Sequence, residues 1–427
     1  MRWVLRVGSA LLLFTGAVML QPHGDLFDPS HLLPFWTGAG VMGAGFALSW
    51  WLSEPPWFLF WFVAVGCRLL LLPMVPGDDV WRYLWEGWIQ LHGFSPFHLA
   101  PDAAALIPLR TAWWEQINHP GVTAIYPPLV QLLFRALASL GPGVLLFKTA
   151  FLAADLGVCW MLTEAFGRCR AALYAWNPLV MVSFSGGAHF DSVFLLPLVA
   201  SWLLSEGRIG FRLRRPWAWS ALLLGVSVAI KWVSLPLAAW PLRDALRAGR
   251  WRRAATVLLL VAAPLLLSSL FFCSSRSCPL VPTGSDFVAT GRSAEWIPHW
   301  VSQAWPVTFR SNAPWGMLLA GWVVLLLATV RSESRFLLAY WMGLLLLSPI
   351  IHGWYFTWLI PFGVPRGNWG ARLVSFSAFV YFVLPSAGPA WMLSDPQRLI
   401  LWLPLIFGAP WNAWPPPPAP SETGLER

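Results

Sequence analysis

Apolar and polar residues are segregated along the chain into long blocks. Apolar runs close to the roughly 20 residues that cross a bilayer fall at 3–20, 33–52 and 57–75. A mixed, amphipathic stretch covers 76–125. Apolar segments then follow near 126–141, 144–165, 171–185, 192–205, 217–241 and 254–272. After a second polar stretch, 273–313, come further segments near 314–330, 336–351, 353–364, 371–385 and 397–410. The pattern predicts an all-α integral membrane protein with about twelve transmembrane helices. Several segments are short or broken by proline, which predicts short re-entrant helices. The Pro-rich polar tail, Pro415 to Arg427, is expected to be disordered.

Composition strengthens this picture. The chain is 57% hydrophobic and 11% charged, against roughly 25% charged residues in a soluble domain. So few charges cannot cover a water-exposed surface, and lipid must face much of the exterior. The 32 tryptophans suit the boundary between headgroups and hydrocarbon. A net charge of +9 would by itself suit nucleic acid. The arginines, however, cluster between apolar runs, at Arg168 and Arg170, Arg208 to Arg215, Arg243 to Arg253, and Arg331 with Arg335. That is the positive-inside distribution, and it argues for membrane lipids and against nucleic acid as partners.

Charge placement also predicts orientation. Arg2 and Arg6 precede the first run, and no clear small-x-small cleavage site precedes Gln21, so the run is expected to be an uncleaved first span starting in the cytoplasm. Three crossings then put 76–125 outside, and the arginine clusters put 187–191, 273–313 and His352 outside too. One count does not close. Between 76–125 and Arg168 the chain should cross an odd number of times, yet two apolar segments intervene. Either one is re-entrant, or Arg168 and Arg170 break the rule. Of the five cysteines, Cys67, Cys159 and Cys169 lie in or beside apolar runs. Cys273 and Cys278 open the second polar stretch, where an oxidising compartment would allow a disulfide.

Chemistry concentrates in Gly77-Asp78-Asp79-Val80-Trp81-Arg82-Tyr83-Leu84-Trp85-Glu86-Gly87. Two carboxylates sit where a span leaves the membrane, and helical spacing puts Asp79, Arg82 and Glu86 on one face. An N-capped helix with an ion-pair ladder would also account for them, but such charge density is unusual in a chain so poor in acids. Asn118-His119-Pro120 and Tyr126-Pro127-Pro128 close the same loop. His189 and Asp191 follow two glycines between apolar runs, as a site or as a buried pair tying helices together. Lys148 and Lys231 are the only lysines. Lys148 suits a snorkelling span end, whereas Lys231 near the outer face can hold a phosphate. His352 opens an aromatic cluster with Trp354 and Tyr355.

In this order, these motifs, with Gly93-Phe94-Ser95-Pro96-Phe97, Asn177-Pro178 and Lys231-Trp232, resemble the bacterial polyprenol-phosphate-dependent GT-C glycosyltransferases, especially the polytopic mannosyltransferases. The resemblance covers roughly 57–365, leaving extra spans at 1–56, C-terminal spans at 366–414 and a tail at 415–427. It departs from the family pattern in two apolar segments preceding the span before the loop, and in Gly353 where Pro commonly follows the His. The resemblance implies a GT-C-like fold with a catalytic first external loop. It implies sugar transfer, most expectedly of mannose, from a polyprenyl-phosphate donor to a lipid or glycan acceptor at the outer face of a bacterial cytoplasmic membrane. Transfer would proceed by one inverting displacement. Asp79, or Asp78, would be general base, Asp79 fitting the Asp-x-x-Arg-Tyr pattern better. Arg82 and Lys231 would stabilise the departing phosphate, and His352 would assist it or orient the acceptor. Tyr83, Glu86, His119, Tyr126, His189, Asp191 and Tyr355 would complete substrate binding. The carboxylate pair permits a divalent metal, but none is expected as a cofactor. The competing expectation is a lipid transporter or flippase, with Lys148, Asp155, Asp191 and Lys231 lining a midplane path.

Overall fold

The computed structural model describes residues 2–209, 213–274, 278–280, 286–387 and 391–415. Among them the chain is helical, with isolated bridges at Ser293–Ile350 and Asn368–Asn412. In chain order the helices are α1 (Arg2–Leu20), α2 (Leu32–Ser49), α3 (Trp57–Leu71), α4 (Asp79–Leu91), α5 (Pro128–Leu140), α6 (Val144–Ala175), α7 (Pro178–Met181), α8 (Asp191–Ser205) and α9 (Pro216–Ile230). They continue as α10 (Ala239–Arg247), α11 (Trp251–Ser269), α12 (Asp286–Thr290), α13 (Ile297–Ala304), α14 (Ala313–Thr329), α15 (Glu333–Leu347), α16 (Ile360–Gly363), α17 (Trp369–Ser377) and α18 (Asp395–Gly408). Beyond Pro415 the expected disordered tail lies outside the described residues.

Four described stretches are long and apolar enough to cross a membrane: Trp3–His23, Pro29–Ser49, Val144–Ala175 and Trp251–Phe272. The apolar helices α3, α5, α8, α9 and α14 are shorter, from 13 to 17 residues. The expected number of about twelve spans therefore rests on segments shorter than a full crossing or interrupted within one. Local chemistry explains several interruptions. Pro128 occupies the first turn of α5, where its missing N–H has no partner to lose. Gly167, at φ 77°, breaks α6. The N–H groups exposed by that break, on Arg168 and Cys169, donate to the Glu54 carboxylate at 3.0 and 3.1 Å.

Side-chain contacts sort the bundle into two ends. At one, Arg168 pairs with Glu54, Arg208 lies over Phe166, Arg253 over Trp217, and Arg170 donates to the Pro365 carbonyl. At the other lie Asp78, Asp79 and the loops joined to them. Between the ends, Arg68 of α3 and Asp155 of α6 are fully buried and 2.6 Å apart, and Arg68 also donates to the carbonyls of Ala64 and Ala175.

The crossing count closes at α5. Lys148, near the start of α6, donates to the Leu72 carbonyl at 2.8 Å and to that of Met74 at 2.6 Å. The chain is thus at the aspartate end when α6 begins and at the arginine end by Gly167. Helix α5 instead packs on α4, where Gln131 donates to Glu86 at 2.5 Å and a Cβ on Gly87 would meet the Phe134 carbonyl at 2.4 Å. It is an amphipathic helix that stays at the aspartate end, and Arg168 and Arg170 keep to the arginine end. Cys273 and Cys278 form a disulfide, on the stretch that follows α11.

Candidate active site

The site begins where α3 ends. The chain turns through Pro76-Gly77, and Gly77 N donates to Gly187 O at 3.0 Å. A Cβ on Gly77 would lie 3.3 Å from that carbonyl and 3.4 Å from the His189 ring. Glycine here lets the aspartate loop and the 182–190 segment approach closely. The opposing segment is a π-helical turn, Val182–Gly186, an irregularity frequent at functional sites.

Asn118 Nδ2 bridges the two carboxylates, donating to Asp78 Oδ2 at 3.2 Å and Asp79 Oδ1 at 2.9 Å. His189 Nδ1 lies 3.7 Å from Asp79 Oδ2. Burial and the neighbouring charge of Asp79 raise the pKa of Asp78. Burial opposes the charge on Asp79 as well, but His189 and Asn118 outweigh it and hold Asp79 below the usual carboxylate range. One carboxylate is thereby kept ionised and the other made more basic.

Trp354 is stacked between two imidazoles, with His189 at 3.5 Å and His352 at 4.6 Å between ring centroids. His352 Nδ1 meets the Tyr381 hydroxyl at 2.5 Å. Burial pushes the His352 pKa down to about 3, so its imidazole is neutral at physiological pH.

Two cavities meet at the aspartates. The first, about 450 Å³, is lined by Asp78, Asp79, Arg82, Tyr83, His119, Tyr126, Asp191, Lys231, Arg292, His352 and Tyr355, among others. The second, about 530 Å³, has an apolar wall including Leu26, Phe35, Met74 and Phe382, with Asp25, Glu115, Gln116 and His189 among its polar groups. Both are bordered by Phe27, Asp78, Asn118, Trp354, Tyr381 and Trp391. Asp79 borders the first alone.

All the residues predicted from sequence except Glu86 thus line one of the two cavities, although several are already engaged. Glu86 lies behind, buried, accepting from Arg82 Nε at 2.8 Å. Arg82 also donates to the carbonyls of Asn118, His119 and Val122, so it clamps the loop that carries Asn118. Lys231 pairs with Asp191 within a ring of Phe190, Phe194, Tyr355 and Trp358. Asp191 also accepts from Trp358 Nε1 at 2.8 Å. Tyr83 is buried against Phe134, its ring stacked at 4.8 Å. Sequence reasoning missed Asn118 as a ligand of the aspartates, although it adjoins His119. It also missed Tyr381, Arg292 and Trp391, which carry no local spacing signal.

Backbone strain gathers here too. His119, Ala188, Ala294 and Trp391 have positive φ without being glycine, and each lies in or beside the cavities. Among the described residues no three His, Cys, Asp or Glu side chains group as a metal-ligand set.

Residues 36–243 match the family model described as alpha-(1->6)-mannopyranosyltransferase, N-terminal domain. That segment holds every predicted site residue except His352 and Tyr355. The chain is also 25% identical over 368 residues to alpha-(1->6)-mannopyranosyltransferase B of Corynebacterium glutamicum, covering 72% of this chain. It spans 59% of that relative's length. No solved structure matches the chain. The resemblance to bacterial polytopic mannosyltransferases drawn from the motifs is borne out by both matches.

Proposed function

We propose that this relative of the alpha-(1->6)-mannopyranosyltransferases transfers a mannosyl group from a polyprenyl-phosphate donor to a lipid or glycan acceptor. The observation that carries the proposal is the aspartate pair at the junction of two cavities, both with largely apolar walls, one of which also carries Arg82, Lys231 and Arg292. In this reading the donor's sugar phosphate occupies the first cavity and the acceptor the second, where Asp25, Glu115 and Gln116 can bind hydroxyls.

The acceptor oxygen attacks the anomeric carbon and the carbon–oxygen bond to phosphate breaks, inverting the centre. The acceptor proton passes to an aspartate and polyprenyl phosphate leaves as the anion. The motif pattern favours Asp79 as base. Geometry favours Asp78, because it borders both cavities and its raised pKa makes it the better proton acceptor. We assign the base to Asp78. Asp79, held ionised, keeps Asp78 basic and orders Asn118. Neutral His352 donates or accepts a hydrogen bond without changing charge.

The arginine-rich end lies in the cytoplasm by the positive-inside rule, which puts the aspartates on the outer face of a bacterial cytoplasmic membrane. The transporter alternative is disfavoured because its candidate path charges are internally satisfied: Arg68 with Asp155, Lys231 with Asp191, and Lys148 with two carbonyls. The test is transfer by purified protein supplied with radiolabelled polyprenyl-phosphate mannose. Full activity in both Asp78→Asn and Asp79→Asn would sink the catalytic assignment. Lipid flux in proteoliposomes without covalent product would favour transport.

A further inference from the structure

We propose that Arg292, with the groove between α14 and α15, holds the donor lipid, the guanidinium taking its phosphate and the groove the adjoining stretch of hydrocarbon chain. This rests on the reading of the site as a lipid-phosphate glycosyltransferase. Of the three Lys and Arg side chains described in the first cavity, Arg82 and Lys231 are already paired with Glu86 and Asp191. Arg292 donates through Nη2 to the Thr308 carbonyl, while its Nε and Nη1 are buried without a partner. Guanidinium donors buried without a partner on a residue that lines a cavity call for an anion.

Arg292 also stands at a boundary. Its guanidinium carbon lies 6.0 Å from the Trp315 ring centroid. Trp315 in turn lines a groove of about 250 Å³ with Gly316, Leu319, Leu344, Leu347 and Ile350. Ser293 N donates to Pro349 O at 3.2 Å, and Ile351 N to Ser293 O at 2.8 Å. These bonds join the groove's rim to the cavity beside His352. Outside the groove, Met317, Leu318, Val324 and Leu325 are exposed apolar side chains on α14, as a lipid-facing surface requires. A phosphate in the cavity with a long apolar tail leaving through lipid fits this junction. A water-soluble sugar nucleotide does not.

The loop bearing Arg292 is fastened from behind. Arg398 of α18 pairs with Glu295 at 3.4 Å, His299 with Asp395 at 2.8 Å, and Trp402 Nε1 donates to Ala294 O at 2.8 Å. These contacts hold Arg292 at the cavity without themselves facing it.

The test uses full-length protein in nanodiscs, a photoreactive polyprenyl phosphate, and mannosyl donors with a long chain and a short, water-soluble chain. The variants are Arg292→Gln, Arg292→Lys and Gly316→Trp. The control is Gly40→Trp, in a separate groove beside α17. A Cβ at Gly316 or Gly40 meets nothing within 4 Å, so the backbone is open to a side chain at both positions. Arg292→Gln should raise KM for both donors by about ten- to hundredfold, the loss of one charge-assisted contact, with Arg292→Lys intermediate. Gly316→Trp should lower the long-to-short preference, and Gly40→Trp should leave it unchanged. Photolabel should fall on α14 and α15. Label on the α2–α17 groove, or an unchanged KM in Arg292→Gln while wild type transfers mannose, overturns the inference. Label on α14 and α15 without any transfer by wild type instead defeats the enzymatic reading and leaves the lipid site standing.

Discussion

The middle of the bundle and its aspartate end both bury charge, and they do so in opposite ways. In the middle, Arg68 meets Asp155 and two backbone carbonyls, with neither side chain exposed. Opposite charges are matched and the contacts close on themselves. At the end, two like charges are adjacent, Asn118 can only partly satisfy them, and both face open cavity. Packing explains the first arrangement completely. The second is unfavourable unless something binds there. An intramembrane charge is therefore a weak functional signal until its partners are known.

Removing Asp78 should have the largest effect. Asp78→Asn is expected to lower kcat by about 10³- to 10⁴-fold, the upper range for loss of a general base. It should not lower thermal stability, because Asn removes a charge whose burial opposes folding. A loss below tenfold would return the base role to Asp79.

Next is the middle of the bundle. Arg68→Ala leaves Asp155 buried and unpaired, which should cost about 3–5 kcal/mol of stability. The expected sign is a clear drop in the thermal unfolding midpoint in detergent, with turnover per folded molecule retained. Replacing both residues, as Arg68→Met with Asp155→Leu, should recover most of the loss. If turnover collapses in the well-folded double variant, the pair takes part in function and the contrast fails.

These two outcomes bear on what the sequence could reveal. The predicted runs at 3–20, 33–52 and 57–75 correspond to α1, α2 and α3 within a few residues, because continuous apolarity is a local property. Asp78 and Asp79 stood out for the same reason. The fate of α5 was not local. Its apolar run reads as a span until Gln131 is seen to face Glu86 on α4. Nor could the sequence separate Asp155 from Asp191 by role, since their partners Arg68 and Lys231 lie 87 and 40 residues away. Tyr381 sits in an ordinary apolar run, and only folding brings its hydroxyl to His352.

A smaller effect is expected at that contact. Tyr381→Phe removes one hydrogen bond to His352 and should reduce kcat/KM by about tenfold or less, measured with the long-chain donor. A loss matching that of Asp78→Asn would mean that the His352–Tyr381 pair takes part in the chemistry.

The smallest effect, and the most diagnostic of the like-charge pair, is on the pH profile. A general base works only when deprotonated, so activity is present above its pKa and lost as pH falls through it. Asp78 is raised above the ordinary 3.8, so the acid limb of kcat/KM should lie above the usual carboxylate range. His352, at about 3, adds no transition near neutrality. Burial raises Asp78 first and the Asp79 charge second. In Asp79→Asn the second cause is gone, so the limb of the residual activity should move to lower pH. A limb that stays in place would show that Asp78 does not titrate under the influence of Asp79. A limb that moves to higher pH would reverse the assigned sign of the coupling.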